Sequence, residues 1–316
     1  MAMPAPHPAP PRAAIARATL VGSGAILLWS TLALLATWAA AVPPLLLTGL
    51  AFTIAGVLSV AGTLLRDGRA GLRSLRQPWP VWAIGVGGLF GYHLCYFLAL
   101  RRAPAVEANL INYFWPLFIV VLSGLLPGER LRWFHLAGCL LALAGCALLV
   151  TRGGTVAVEA RYWPGYLLAL GAAIVWAIYS VASRRFGGVP SEIVGFFCLI
   201  TGALALVAHA LLEPPRWPVG REWALVLALG LGPLGLAFFL WDHGCKRGDI
   251  RALGALAYLA PLLSTALLVA AGAAAGSSLL WLAAGAIVVG ALLASGDALP
   301  RRRPPSDVAS PPARLH

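Results

Sequence analysis

A few polar and aromatic residues lie inside long apolar runs, where unpaired polar groups are costly. Asn109, Asn112, Tyr113 and Pro116 recur at i, i+3, i+4 and i+7, which places them on one face of a helix. Carboxamides facing lipid would lack hydrogen-bond partners, so this face is expected to point into the protein. Such side chains bind a small molecule by hydrogen bonds and ring contacts and leave its covalent bonds intact. The alternative is that the asparagines hydrogen-bond neighbouring helices as structural contacts.

A second group lies in the preceding apolar run. Tyr92 and Tyr96 share a helix face, and His93 stands beside them. An ionisable residue within a membrane segment is a functional candidate by default. The titration range of histidine suits proton coupling. The alternative is a neutral histidine bonded to a neighbouring carbonyl.

Two carboxylates are candidates for gating or coupling. Asp242 stands four residues before Lys246, which is salt-bridge spacing on a helix, so a structural pair competes with a gating role. Glu107 stands close to the basic pair at 101–102, where an ion pair competes with a gate. If His93 or Asp242 carries protons, His93→Ala or Asp242→Asn is expected to change the pH dependence of activity.

The chain contains a repeat at an interval of about 145 residues. The segment from Asn112 to Pro116 has a weaker copy that runs from Tyr258 to Pro261, and the basic pair at 101–102 falls on 246–247. Proline-interrupted apolar segments at matching places in two halves are typical of duplicated transporters. Each proline removes a backbone hydrogen bond and can turn a carbonyl towards a cavity, which makes both of them gating candidates. The alternative is that each is only a packed kink in its helix.

Composition excludes a soluble protein. Of 316 residues 60% are hydrophobic and 11% are charged, whereas soluble domains carry about 25% charged residues. The net charge of +12 comes from short basic clusters between apolar runs, which does not indicate nucleic-acid binding. All five cysteines fall in apolar segments without metal-ligand spacing. No enzyme, nucleotide or cofactor motif is present, so we expect no enzymatic activity, no cofactor and no metal site.

The pattern predicts an all-α membrane protein with ten transmembrane helices. Each apolar stretch approaches the ~20 residues that cross a bilayer. Residues 1–17 and 298–316 are expected to be disordered cytoplasmic tails. The predicted spans are 19–40, 44–65, 80–100, 106–126, 132–150, 164–183, 191–212, 223–245, 252–274 and 279–297.

The distribution of positive charge predicts the orientation. With a cytoplasmic N-terminus, 17 of the 23 lysines and arginines fall on the inner side, which supports two cytoplasmic termini. Five spans per half is an odd number, so the second half enters from the opposite side. The expected architecture is two inverted five-helix repeats, residues 18–151 and 163–297, around a central cavity.

Four motifs resemble the drug/metabolite transporter superfamily in its EamA branch, and within that branch the YddG-type aromatic amino acid exporters. The resemblance covers roughly residues 18–297 and rests on Trp29-Ser30-Thr31, Asn112-Tyr113-Phe114-Trp115-Pro116, Trp176-Ala177-Ile178-Tyr179 and Tyr258-Leu259-Ala260-Pro261-Leu262-Leu263-Ser264. It implies a monomeric transporter in the bacterial inner membrane that does not hydrolyse ATP. It also implies cavity positions for Trp29, Asn112, Tyr113, Trp115, Trp176, Tyr179 and Tyr258.

The sequence therefore predicts an inner-membrane exporter of aromatic and other apolar amino acids that works by alternating access. Its expected partners are a small-molecule substrate and the lipid bilayer, and not nucleic acid. One alternative keeps the architecture and moves a different metabolite or drug. A structural or receptor-like membrane protein is a third possibility, and it predicts no cavity wide enough for a small molecule.

Overall fold

The computed structural model describes residues 11–127, 129–155, 159–273 and 278–296, and within these ranges the regular structure is helical. Two short 3-10 segments, Gly68–Leu75 and Ala160–Tyr162, and one π-helical turn, Gly232–Leu236, accompany the α-helices. The α-helices are α1 (Arg12–Ser30), α2 (Leu32–Trp38), α3 (Pro44–Asp67), α4 (Trp79–Leu100), α5 (Ala105–Asn112), α6 (Trp115–Ser123), α7 (Trp133–Thr151), α8 (Trp163–Arg185), α9 (Ile193–Leu212), α10 (Glu222–Leu231), α11 (Ala237–Arg247), α12 (Ile250–Leu256), α13 (Leu259–Ala270) and α14 (Ser278–Ala294).

The membrane character of the fold follows from length and hydropathy. In the described part of the chain, nine helical stretches are long and apolar enough to cross a bilayer, and α14 adds a shorter apolar helix of 17 residues. Four of the nine are built from two helices in line, because a break interrupts each. The chain is an all-helical, multi-pass membrane protein.

The N-terminal prediction needs one correction. A disordered tail was expected over 1–17, but α1 begins at Arg12, so residues 12–17 already form its first turns. The sequence Arg-Ala-Ala-Ile-Ala-Arg is rich in strong helix formers, which explains the earlier start. Residues 1–10 and the expected C-terminal tail, 298–316, lie outside the described residues. The fourth span ends at Ser123, earlier than the predicted 126.

Proline explains where two helices break. Pro116 is the second residue of α6 and Pro261 is the third residue of α13, so the helix preceding each of them ends just before it. A proline in a first turn costs little, because the N–H that it lacks would have no partner there. In the eighth span, Pro233 lies in the π-helical turn between α10 and α11.

Four helix pairs make the closest contacts: α1 with α11, α3 with α9, α4 with α8, and α7 with α14. Glycine permits this approach where backbones nearly touch. A Cβ placed on Gly22 would lie 2.8 Å from the Cα of Gly244, and one on Gly138 would lie 2.5 Å from the carbonyl oxygen of Gly290. Membrane helices associate through such small-residue contacts, because lipid supplies no hydrophobic force between them.

A buried acid secures the start of α3. The Glu213 carboxylate, at the end of α9, accepts hydrogen bonds from the backbone N–H groups of Leu45 and Leu46 at 2.9 and 3.2 Å. His209 contacts the same carboxylate at 2.9 Å. The first N–H groups of a helix have no partner within the helix, and an anion there is favoured by the helix dipole. This contact fixes one end of the α3–α9 pair.

We predict that Gly22→Ala lowers the thermal midpoint of unfolding of the protein in detergent. The added methyl must displace the α11 backbone at Gly244, and overpacking of this kind costs about 1–3 kcal/mol. The matched control is Gly62→Ala in α3, where no atom lies within 4 Å of the added Cβ. That change removes a flexible residue from a helix interior and should leave stability equal or higher. An equal effect of both substitutions on the midpoint would contradict the close α1–α11 contact.

Candidate functional site

A cavity of about 530 Å³ lies between the helices. Cavities of roughly 300–1,000 Å³ are typical of small-molecule sites, so the class of structural proteins without a cavity no longer fits this chain. The lining reaches from the middle of the helices to the turn that joins α2 to α3, where Ala39, Ala40 and Val42 contribute. Nine predicted site residues line this cavity: Trp29, Tyr92, His93, Tyr96, Asn109, Asn112, Tyr113, Trp115 and Trp176.

Two residues predicted to line the cavity lie elsewhere. Tyr179 is buried behind Trp176, with the ring centroids 5.1 Å apart, and packs where Gly88 of α4 leaves space. Tyr258 is fully buried in a separate core cluster with Cys139 and Cys146. Tyr179 stands almost one helical turn beyond Trp176, about 4.5 Å further along α8, so it lies past the inner end of the cavity and not in its lining.

The four gating or coupling candidates do not line the cavity. Pro116 and Pro261 are buried. One carboxylate oxygen of Glu107 is buried without a hydrogen bond, and the described residues show no ion pair between Glu107 and the basic pair at 101–102. Arg101 instead donates to the carbonyl oxygen of Leu212 at 2.8 Å. The expected ion pair is therefore not formed in this structure, and a gating role for Glu107 stays a prediction.

Asp242 forms the pair that its spacing predicted. Its carboxylate lies 2.8 Å from the Lys246 ammonium, and the side chains are 2% and 4% exposed. Ser191 donates to the same carboxylate oxygen at 2.6 Å, and Lys246 also donates to the Val189 carbonyl at 3.0 Å. The pair thus ties α11 to the segment before α9.

Four tryptophans form an aromatic layer at the inner end of the cavity. The Trp29 ring centroid lies 6.3 Å from that of Trp115, 5.6 Å from that of Trp176 and 5.1 Å from that of Trp241. The first two contacts are edge-to-face, an arrangement that the ring quadrupoles favour. The Trp29 indole N–H donates to the Pro233 carbonyl at 3.1 Å, which fixes the ring. The layer is rigid and mainly apolar.

One wall of the cavity carries hydrogen-bonding groups. The Tyr92 and Tyr96 rings are stacked with centroids 6.0 Å apart. The Tyr96 hydroxyl donates to the side-chain oxygen Oδ1 of Asn109 at 2.5 Å, and the side-chain nitrogen Nδ2 of Asn112 donates to the Tyr92 hydroxyl at 3.2 Å. Both asparagines therefore bond the tyrosines of α4 as well as line the cavity.

His93 belongs to the same wall. Its Nδ1 lies 2.7 Å from the carbonyl oxygen of Leu89. A carbonyl only accepts, so Nδ1 carries the proton and, in the neutral ring, Nε2 is an acceptor. Nε2 has no hydrogen-bond partner among the described residues, and His93 lines the cavity. The Nδ1 contact matches the alternative of a histidine bonded to a neighbouring carbonyl, and a coupling role for His93 stays a prediction.

Among the described residues, the lining contains no Asp, Glu, Lys or Arg. Sequence reasoning missed several of its uncharged members: Thr48, Phe97, Phe238 and Ser264. Phe238 stands 145 residues after His93, so the repeat interval was a signal for it. Its ring packs 6.1 Å from the His93 ring and 5.7 Å from the Trp176 ring. Among the described residues, no group of three potential ligand residues is placed to hold a metal ion.

Charged residues close the opposite end of the molecule. The Glu129 carboxylate, between α6 and α7, lies 3.4 Å from the Arg184 guanidinium and 3.2 Å from that of Arg251. Arg184, at the end of α8, also donates to the backbone carbonyls of Cys245 and Gly248, at the end of α11. We call Glu129, Arg184 and Arg251 the charged latch.

We predict that Asp242→Asn destabilises the protein by about 3 kcal/mol or more, because it leaves the buried Lys246 ammonium without its counterion. Chemical or thermal unfolding in detergent measures this loss. The control is Asp67→Asn, which breaks an exposed pair with Arg66 and should not change the midpoint measurably. A midpoint unchanged by Asp242→Asn would mean that the buried pair does not stabilise the fold.

Comparison with known proteins agrees with this geometry. The model of the family described as "EamA-like transporter family" matches the chain twice, over residues 16–151 and 163–296. A solved crystal structure 55% identical in sequence superposes with a TM-score of 0.85, covering 90% of this chain and 98% of the other.

Several curated relatives carry names that describe transport. "Aromatic amino acid exporter YddG" from Ancylobacter novellus is 56% identical over 279 residues, 88% of this chain and 96% of that protein. A protein of the same name from Salmonella typhimurium is 28% identical over 79% of this chain and 87% of that protein. The "Probable terminal-alkyne amino-acid exporter" of Streptantibioticus cattleyicolor is also 28% identical, over 77% of this chain and 83% of that protein.

Proposed function

Because this chain belongs to the EamA-like transporter family, we propose that it exports aromatic and other apolar amino acids by alternating access, without ATP hydrolysis. It is a transporter rather than an enzyme, as the sequence predicted. The observation that carries the proposal is the uncharged cavity of about 530 Å³ with tryptophan rings at its inner end. The Ancylobacter novellus relative, with the name of an aromatic amino acid exporter, supports the same substrate class.

The chemistry of the cavity fits a neutral zwitterion with an apolar side chain. The rings of Trp29, Trp115 and Trp176 offer edges and faces to an aromatic side chain. The wall that carries Tyr92 and His93 offers hydrogen bonds to the charged ends of the amino acid. A substrate with a charged side chain would lose its hydration without gaining a counterion in this lining, so we expect it to be excluded.

We infer ten spans in two inverted five-helix repeats, residues 18–151 and 163–297, with α14 as the tenth span. The two family matches, which start 147 residues apart, support the duplication. Helix pairing supports the symmetry. The closest partner of α1 is α11, in the second repeat, and the closest partner of the equivalent helix α8 is α4, in the first. If the first and second repeats are exchanged, the α1–α11 pair falls on the α8–α4 pair.

The same contacts support two moving bundles that each mix the repeats. Helix α1 packs with α11 and α13, while α8 packs with α4, α5 and α6; α12 contacts both groups, through α1 and α6. The glycine contacts inside each bundle favour movement as a rigid body. The cavity lies between them, with Trp29 from one bundle against Trp115 and Trp176 from the other. Rocking of the bundles would expose this site to each side in turn.

We propose that both termini are cytoplasmic and that the protein acts as a monomer in the bacterial inner membrane. The distribution of 17 of 23 basic residues on one side supports this orientation. The cavity then extends towards the periplasm, at the α2–α3 turn, and the charged latch lies at the cytoplasmic end. The conformation corresponds to an outward-facing state in which the latch blocks the cytoplasmic path.

The export proposal is tested in proteoliposomes loaded with labelled amino acids, by counterflow across all twenty. We expect release of tryptophan and phenylalanine above that from protein-free vesicles, and no release of lysine or glutamate. Absence of release of every amino acid would overturn the proposal. It would favour the alternative, a different metabolite moved by the same fold.

We predict that Ala33→Trp lowers phenylalanine counterflow at least tenfold. Ala33 lines the cavity, so the new indole takes up the space that the substrate needs. The control is Leu27→Trp in α1, at a position 61% exposed on the outside of the helices, where the indole faces lipid. Both variants should elute as folded monomers in gel filtration. Equal transport by the two variants would mean that substrate does not pass through this cavity.

We predict that Glu129→Gln opens the cytoplasmic end more often, because it removes the carboxylate that holds the guanidinium groups of Arg184 on α8 and Arg251 on α12. Cys245 is fully buried below Arg184 and reports this opening. N-ethylmaleimide modification of Cys245, mapped by mass spectrometry, should become several-fold faster. The control is Glu159→Gln, which breaks an exposed ion pair with Arg161. Unchanged modification of Cys245 in Glu129→Gln would exclude a latch role.

A further inference from the structure

We propose that Asn109 and Asn112 are positioning residues that give Tyr92 and Tyr96 opposite hydrogen-bonding polarity. In this arrangement the Tyr92 hydroxyl donates to the substrate carboxylate and the Tyr96 hydroxyl accepts from the substrate ammonium. The inference rests on the proposed function, since it assigns the two ends of an amino acid to two places on the same wall.

The Tyr96 hydroxyl already donates its proton within the protein. A hydroxyl has one proton and two lone pairs, and this proton is donated to the Asn109 carbonyl oxygen at 2.5 Å. The amide cannot exchange its oxygen and nitrogen without loss, because the nitrogen donates to the backbone carbonyl of Ala105 at 2.8 Å. Tyr96 therefore presents only lone pairs to the cavity. It complements a group that donates, such as an ammonium.

The Tyr92 hydroxyl is in the opposite situation. It accepts a hydrogen bond from the Asn112 amide nitrogen at 3.2 Å, which occupies a lone pair and leaves the proton free. The bond with Asn112 is the one that the Tyr92 hydroxyl makes among the described residues, so its proton stays available to a ligand. Tyr92 therefore complements a group that accepts, such as a carboxylate. The two hydroxyls belong to parallel stacked rings on successive turns of α4.

The second repeat offers no competing polar wall. At the repeat interval of 145 residues, Asn109 and Asn112 correspond to Gly254 and Ala257, which carry no hydrogen-bonding side chain. Among the described residues, the second repeat adds only Ser264 and the Trp176 indole as polar side chains to the lining, and the tryptophan rings fill its inner end. A zwitterion on the α4 wall has its aromatic side chain directed towards those rings. This asymmetry gives the substrate one orientation.

The test uses three probes that separate the two ends of the substrate: L-phenylalanine, 3-phenylpropionate, which keeps the carboxylate, and phenethylamine, which keeps the ammonium. Binding to the purified full-length protein is measured by isothermal titration calorimetry. Tyr92→Phe should weaken phenylalanine and 3-phenylpropionate about tenfold and leave phenethylamine unchanged. Tyr96→Phe should weaken phenylalanine and phenethylamine by a similar factor and leave 3-phenylpropionate unchanged.

The asparagine variants test the positioning role. Asn109→Leu frees the Tyr96 proton, so the preference should shift towards 3-phenylpropionate. Asn112→Leu frees a Tyr92 lone pair, so the preference should shift towards phenethylamine. A residue with a purely structural role would weaken both analogues together. Opposite shifts of the Kd ratio of the two analogues therefore support the inference, and parallel shifts overturn it.

Two further outcomes separate this inference from the export proposal. In the first outcome, the wild type binds phenylalanine normally and each tyrosine variant loses the same amount of affinity for both analogues. This result would overturn the polarity assignment and leave the export proposal standing. Failure of the wild type to bind any of the three probes would overturn both. Elution of each variant at the wild-type volume in gel filtration confirms that it is folded.

Discussion

The structure depends on one constraint: in a bilayer, backbone N–H and C=O groups must find partners within the protein. A helix that breaks at membrane depth is therefore tolerated only where protein or a cavity surrounds the break. The breaks between α1 and α2, α5 and α6, α10 and α11, and α12 and α13 all adjoin the same cavity, which Leu32, Tyr113, Leu234 and Ala260 line. At one break a tryptophan satisfies the freed backbone, since Trp29 donates to the Pro233 carbonyl. The broken helices and the cavity are one feature.

Close packing around the cavity follows from the distribution of small and large residues. Glycines bring helix backbones together at Gly22 and Gly244, whereas the centre holds tryptophan rings that touch edge to face. Helices that pack this closely behave as stiff units. The cavity lies where these rings meet, since Trp29, Trp115 and Trp176 all line it. This contrast leaves room for a molecule at the interface of the two bundles.

The cost of burying unpaired groups also keeps charged side chains away from the cavity. Full charges are costly in a low-dielectric interior unless they are paired, and here the carboxylates of Asp242 and Glu129 lie beside cations towards one end of the helices. Glu213 satisfies a helix start at the other end. The cavity keeps neutral dipoles, which hold a zwitterion by hydrogen bonds without fixing it permanently. A transported molecule must also leave, so moderate binding suits the function.

Much of the fold was predictable, because a bilayer demands about 20 apolar residues per span and prolines mark the breaks. Polarity inside an apolar run also identified Asn109, Asn112 and His93, which can only face the protein interior. The sequence could not exclude Tyr179 and Tyr258 or find Phe238, because the inward face of a helix depends on the neighbours against which it packs. The sequence also could not predict that Glu129 contacts the guanidinium groups of Arg184 and Arg251 in the charged latch. The sequence by itself determined which groups cannot face lipid, and only the tertiary structure decided which groups meet, because contacts between distant segments depend on how the helices pack.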